Sequence, residues 1–268
     1  MVRTDTWHDT LEEWGKGALG WIMGWGRIVH FGALILVLTL SPSSYSRENR
    51  TELARHLYLN TAPILLGFTL LVALISMVLT RIVLVTSLSY GLSQYALQLV
   101  IRVLVLELIP LTAALFVALR CTIPDGADVA RMRRRGELEA LRLRGTDPVS
   151  REVLPRVVAG VFSSVTLAAL SCVVALITAY IAVYGFTITG LAVYTRLFGQ
   201  VFTPVVTLIF ALKTFFFSLA VAIIPMASGV YDIITGATSR TRAEMRGLVR
   251  MFAVLLLIEG VSLVGNYY

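Results

Sequence analysis

The sequence predicts an all-α integral membrane protein: an interfacial N-terminal helix, five transmembrane helices, and a cytoplasmic helix between the second and third spans. Three observations carry this. Of the 268 residues, 57% are hydrophobic and only 15% are charged, with a mean hydropathy of +0.81, which is a polytopic membrane composition. Long apolar runs alternate with polar stretches too short to bury a core of their own. Arginines cluster in alternate loops, the positive-inside distribution. Topology therefore accounts for the net charge of +7, and no nucleic-acid partner is expected.

Residues 5–28 read as an amphipathic helix. Trp7, Trp14 and Trp21 recur at a seven-residue interval, and Leu11, Ala18, Trp25 and Ile28 complete the stripe. Asp9, Glu12, Glu13 and Lys16 lie mostly off it. Indole rings favour the headgroup layer, so Trp7, Trp14, Trp21 and Trp25 are expected to anchor this helix in the interface. Acidic residues and Trp before the apolar run are unlike a signal peptide. The apolar run Ile28 to Leu40 has 13 residues, where a span needs about 20. It is expected to dip in and return at Ser41-Pro42. Gly20 and Gly24 form a GxxxG pair, a weak helix-packing signal. Ser43 to His56, with Arg47, Arg50 and Arg55, reads as cytoplasmic. Residues 1–58 thus form an interfacial and cytoplasmic segment, and residues 59–268 a five-span domain.

The spans are expected near Leu59–Val85, Tyr95–Leu119, Val153–Tyr184, Phe202–Met226 and Leu248–Val264. The loop from Thr86 to Gln94 is uncharged, and the segment from Gly185 to Gln200 carries only Arg196, so both face outward. Ser228 to Arg250 holds Arg240, Arg242, Arg246 and Arg250 and faces the cytoplasm. The N-terminus is then cytoplasmic and the C-terminus external. The odd span count argues against a simple inverted repeat.

The stretch from Arg120 to Gly160 carries the highest charge density. Asp125 can cap a helix start with Asp128 beside it, Gly145 can stop the helix, and Asp147-Pro148 can open the next. A helix of about five turns is expected over 125–145. Its apolar positions are Val129, Met132, Leu138, Leu141 and Leu143.

No hydrolase constellation and no phosphate-binding GxxxxGK[ST] loop is present. Cys121 and Cys172 have no metal-ligand spacing, and neither a metal nor a disulfide is expected. Arg102, Glu107, Lys213 and Glu259 fall inside spans. Such charges cost about 2.5–3.5 kcal/mol to insert, so they are candidates for pairing or for lining a cavity. Lys213 can pair with Glu107. Arg102 and Glu107, five apart on one helix, are expected to point in rather different directions. Arg81 is expected to snorkel outward.

Several blocks resemble one family. The chain presents Glu107-Leu108-Ile109-Pro110, Arg120, Ala127-Asp128 with Met132, Gly136-Glu137-Leu138-Glu139-Ala140-Leu141, Asp147-Pro148, and Pro155-Arg156 ending at Ala159-Gly160. Further on come Lys213 and Ser228-Gly229-Val230-Tyr231-Asp232. In order and spacing these resemble the signature of the MlaE/YrbE permeases, the membrane subunits of MCE-type ABC transporters for lipids. The likeness extends over about residues 25–266. It departs from the family pattern at Leu106, at Pro124 and at Asp128, as a divergent member does.

The resemblance implies a permease subunit that moves a phospholipid or another hydrophobic molecule between bacterial membranes. The N-terminal helix would be an elbow framing a lateral lipid entrance. The helix over 125–145 would be a coupling helix seated on a cytoplasmic ABC ATPase dimer through Asp128, Met132, Glu137, Leu138, Glu139 and Leu141. ATP and magnesium would be bound by that partner, and this chain would bind no cofactor and catalyse no reaction. A second permease subunit and periplasmic MCE-domain proteins would complete an inner-membrane complex. Two other classes stay open on the residues alone. One is an ion-coupled carrier acting by itself through Arg102, Glu107, Lys213 and Glu259. The other is a non-transporting membrane scaffold.

Overall fold

The computed structural model describes residues 5–41, 47–231 and 237–267, with side chains over 23–41, 51–92, 95–231 and 245–266. Every regular element among the described residues is helical. The helices are α1 (Asp5–Leu40), α2 (Arg47–Ser89), α3 (Ser93–Val100), α4 (Ile109–Val117), α5 (Ile123–Arg134), α6 (Glu137–Leu143), α7 (Leu154–Tyr184), α8 (Leu191–Val201), α9 (Pro204–Tyr231) and α10 (Ala237–Tyr267). Three π-helical stretches join some of them: π1 (Ile101–Leu108), π2 (Ala118–Thr122) and π3 (Val149–Val153).

Six windows among the described residues are long and apolar enough to cross a membrane: Met23–Leu40, Thr51–Ser89, Tyr95–Arg134, Val149–Tyr184, Pro204–Tyr231 and Met245–Asn266. Five match the expected spans. The sixth is the N-terminal run, within α1. α1 is one unbroken helix of 36 residues, about 54 Å long at 1.5 Å per residue, and the return expected at Ser41-Pro42 falls at its end, where residues 42–46 lie outside the described residues. No proline interrupts it, and its glycines are tolerated because the helix packs. Phe31 and Ile35 are buried, Gly32 lies against Ile223, and Phe31 meets Tyr231 edge to face at 5.9 Å. The side chains of Trp7, Trp14 and Trp21 lie outside the described residues; Trp25 is half-buried and packs on the core.

The π stretches have a common cause. Each ends just before a proline in the first turn of the next helix: Pro110 in α4, Pro124 in α5 and Pro155 in α7. Proline has no N–H to donate, and its ring crowds the carbonyl four residues back. Widening the preceding turns to i→i+5 bonding relieves that crowding without ending the helix. The chain from Ser93 to Arg134 therefore runs on as one helical rod. Asp125 sits inside that rod and caps nothing; its carboxylate accepts a hydrogen bond from Asn60 Nδ2 at 3.1 Å.

The core is built around α9. One buried cluster joins Phe31 of α1, Val129 of α5, Phe217, Val221 and Met226 of α9, and Met251 and Leu255 of α10. A second joins α2, α4 and α7 through Phe68, Val117, Leu167 and Ala175. Opposite faces present leucines outward, such as Leu66 and Leu256, as lipid-facing helices do. Small residues permit the closest crossings. A Cβ on Gly126 would fall 2.7 Å from the Pro225 carbonyl oxygen, and one on Gly160 would fall 2.7 Å from Thr122 Cγ2. Thr122 Oγ1 donates to Val221 O at 2.6 Å, tying the same crossing together.

These contacts put the start of α2, α5 with α6, the start of α7 and the end of α9 on one face of the bundle. The loop after α2 and the segment holding α8 lie at the other end. There Tyr194 donates to Leu176 O at 2.8 Å within an aromatic cluster.

Candidate functional site: a buried charge cluster and an exposed polar segment

Lys213 is the centre of the first site. It lies within α9, and its side chain is 1% exposed. Its Nζ donates to Glu107 Oε2 and to Leu106 O, the latter at 3.3 Å. It also forms an ion pair with Glu259 Oε2 of α10 at 2.8 Å. Asn266 Nδ2 reaches Glu107 Oε1 at 3.4 Å, and the Phe217 ring centroid is 5.7 Å from Nζ. Two carboxylates thus share one ammonium, deep among spans. The cluster joins three helices that the sequence separates widely.

Glu107 comes from π1. Arg102 lies in the same stretch and is half-buried. Lys213 is brought to both Glu107 and Glu259. Asn266 was not foreseen, although an amide near the end of an apolar run was a usable cue.

The second site is the polar segment. The expected single helix over 125–145 is two. α5 ends at Arg134, and Gly136 (φ 74°) turns the chain into α6. Gly145 (φ 77°) closes α6, and both Asp147 carboxylate oxygens then accept from Val149 N and Ser150 N, at 3.2 and 3.1 Å. The left-handed backbone at Gly136 is why one helix could not continue: a side chain there is strained.

The candidate residues divide accordingly. Val129 is fully buried in the chain's own core and presents nothing outward. Met132, Leu138 and Leu141 are half-buried, and Leu138 packs against the core cluster. Asp128 pairs with Arg131 on the same helix. Glu137 lies 3.7 Å from Arg135, and Glu139 lies 3.3 Å from Arg142. Exposed pairs of this kind contribute about 0–1 kcal/mol, so both carboxylates can exchange partners cheaply. Leu143 is 84% exposed. α6 buries none of its residues.

No group of three or more His, Cys, Asp or Glu side chains suited to a metal occurs among the described residues. Cys121 and Cys172 are buried and free.

An all-helical bundle with six apolar helices, a buried charge cluster and a protruding polar hairpin is a multi-pass integral membrane protein. Residues 53–264 match the family described as Permease MlaE, and the chain belongs to that family. A protein of Rickettsia prowazekii (strain Madrid E), described as a probable ABC transporter permease protein, is 29% identical over 154 residues. The match covers 57% of this chain and 58% of that relative, so it spans little more than half of the relative's length.

Proposed function

We propose that the chain is the membrane subunit of an ATP-driven ABC transporter that moves a phospholipid or another hydrophobic molecule between bacterial membranes. The observation that carries this is mechanical. One rod runs from Glu107 through Pro124 to Arg134 and ends in the exposed α6 beyond a glycine pivot. A displacement of α6 passes the short Gly136 turn into this rod and along it to Glu107, and through Glu107 to Lys213 and Glu259. Family membership and the printed description of the Rickettsia relative support the same reading.

In this mechanism a cytoplasmic ATPase dimer binds ATP and magnesium and grips α6 through Glu137, Glu139, Leu141 and Leu143. Closure of the ATPase pushes α5 along α9. The Gly126 crossing then shifts, and the helices joined by the charge cluster move relative to one another to pass the lipid. The chain makes and breaks no covalent bond. A second permease subunit and periplasmic MCE-domain proteins complete the assembly in the inner membrane, with the polar-segment face cytoplasmic.

The test is co-purification in mild detergent with an ATP-hydrolysis assay, on wild type and on Glu137→Lys with Leu141→Asp. An ATPase that accompanies the wild type and is lost from the double variant supports the reading. A chain that purifies alone and has no associated ATPase activity overturns it.

The buried pair of carboxylates on one ammonium also fits a second reading, an ion-coupled carrier acting alone. That reading expects the purified chain in liposomes to transport in response to a proton gradient, without ATP.

A further inference from the structure

Away from both sites, three helices converge on the polar-segment face. α1 enters its apolar window near Gly24 and Arg27, α9 leaves its window at Ser228 and Tyr231, and α10 enters its window near Arg250. These residues line one small cavity. Arg27 is exposed and Arg250 half-buried. No carboxylate is among the described residues that line the cavity, and no described residue forms an ion pair with either guanidinium. Ser228 Oγ is enclosed and has no hydrogen-bond partner among the described residues. Tyr231 is held by its edge contact with buried Phe31.

The backbone is shaped to hold these donors. A Cβ on Gly24 would collide with the Arg250 guanidinium, and one on Gly247 would fall 2.9 Å from Ser228 Oγ. Two glycines therefore clear the space that brings a guanidinium and a hydroxyl together. Two cations without an ion pair and a hydroxyl without a hydrogen bond among the described residues, with a phenol beside them, at the depth where apolar windows begin or end, match a phosphate on a lipid headgroup. The guanidinium fork suits the phosphate oxygens, and the surrounding spans accommodate acyl chains.

We propose that Arg27, Arg250, Ser228 and Tyr231 form a binding site for the phosphate of an anionic phospholipid at the membrane boundary. The site lies apart from the Lys213 cluster and does not depend on the transport reading. Retention of such a lipid would pin α1 against α9 and α10 by giving the two arginines a counter-charge that no described residue supplies.

The full chain, purified in nonionic detergent, is incubated with phosphatidylglycerol or phosphatidylcholine, and the lipid retained is read by native mass spectrometry. Wild type should retain one phosphatidylglycerol in preference to phosphatidylcholine. Arg27→Gln and Arg250→Gln should each weaken that preference by about fivefold, the factor expected per basic residue at an anionic surface. Gly24→Ala should weaken it without removing a charge, because it displaces the Arg250 guanidinium. Arg196→Gln, at the opposite end of the bundle, should leave it unchanged. Inorganic phosphate at millimolar concentration should not displace the lipid. If it does, free phosphate is the occupant, and the assignment to a lipid is overturned. No headgroup preference in the wild type, which needs no variant to fold, overturns the site altogether. So does an undiminished preference in the Arg27→Gln, Arg250→Gln double variant, which would mean that both arginines only snorkel to water.

Discussion

Lys213 Nζ on α9 lies 2.8 Å from Glu259 Oε2 on α10 and at the same time bonds Glu107 from π1. Its side chain is 1% exposed. One ammonium therefore holds three transmembrane helices together, and it does so where water cannot substitute for a lost partner. Removing one member of such a cluster strands the others, whereas removing all of them does not.

That asymmetry is the first prediction. Lys213→Met leaves two facing carboxylates buried and should destabilise the protein by about 3–5 kcal/mol, the usual cost of breaking a buried pair. The triple change Glu107→Gln, Lys213→Met, Glu259→Gln should recover much of that loss. Thermal unfolding in one detergent decides it. A triple variant no more stable than Lys213→Met would show that the ion pairs are not what holds the helices.

The crossing of α5 with α9 predicts a contrast between two glycines. Gly126→Ala places a Cβ 2.7 Å from the Pro225 carbonyl oxygen and should cost about 1–3 kcal/mol through overpacking. Gly136→Ala meets open space but keeps a φ of 74°. It should cost about 1–2 kcal/mol of local strain, relieved by turning α6. The midpoint should fall for Gly126→Ala, while Gly136→Ala should chiefly lower the associated ATPase activity.

Thr122→Val removes the hydrogen bond to Val221 O and keeps the shape of the side chain. Interhelical bonds of this kind contribute about 0.6 kcal/mol on average within membranes, so a small drop in unfolding midpoint is expected. A large drop would mean that Thr122 also sets the register of the crossing.

Leu143 is 84% exposed. Leu143→Ser should leave thermal stability unchanged, because no packing is lost. Co-purification of an ATPase should weaken if this face docks one. Unchanged co-purification would remove Leu143 from the contact.

Tyr194 lies outside the candidate spans, and burial pushes its phenol up from 10.0 to about 12. The folded state therefore keeps the proton longer than the unfolded chain. Its contribution to stability is complete below pH 10 and is lost as pH rises from there to about 12. Tyr194→Phe should flatten the stability curve across that window, measured by unfolding midpoints at a series of alkaline pH values.

Much of this molecule was legible in the order of its residues. Apolar runs of span length can only be helices in lipid, because every backbone group must bond within its own segment. The five later spans follow from that alone. The capping role of Asp147 and the stop at Gly145 also followed, since both are local backbone chemistry. The four intramembrane charges stood out because burying them is expensive. What the sequence could not decide was where two forces compete, or where partners lie far apart along the chain. Pro124 was a reason to end a helix, yet the packing of α5 on α9 kept the rod continuous and moved the strain into π2. The run after Ile28 continues the preceding turns as one helix, α1, and only the assembled bundle shows which of its residues, Phe31 and Ile35, pack inward. Lys213 could have met any carboxylate; only the assembled bundle put Glu107 and Glu259 on either side of it. Local propensity depends on near neighbours, whereas pairing across more than a hundred residues depends on how whole helices stack.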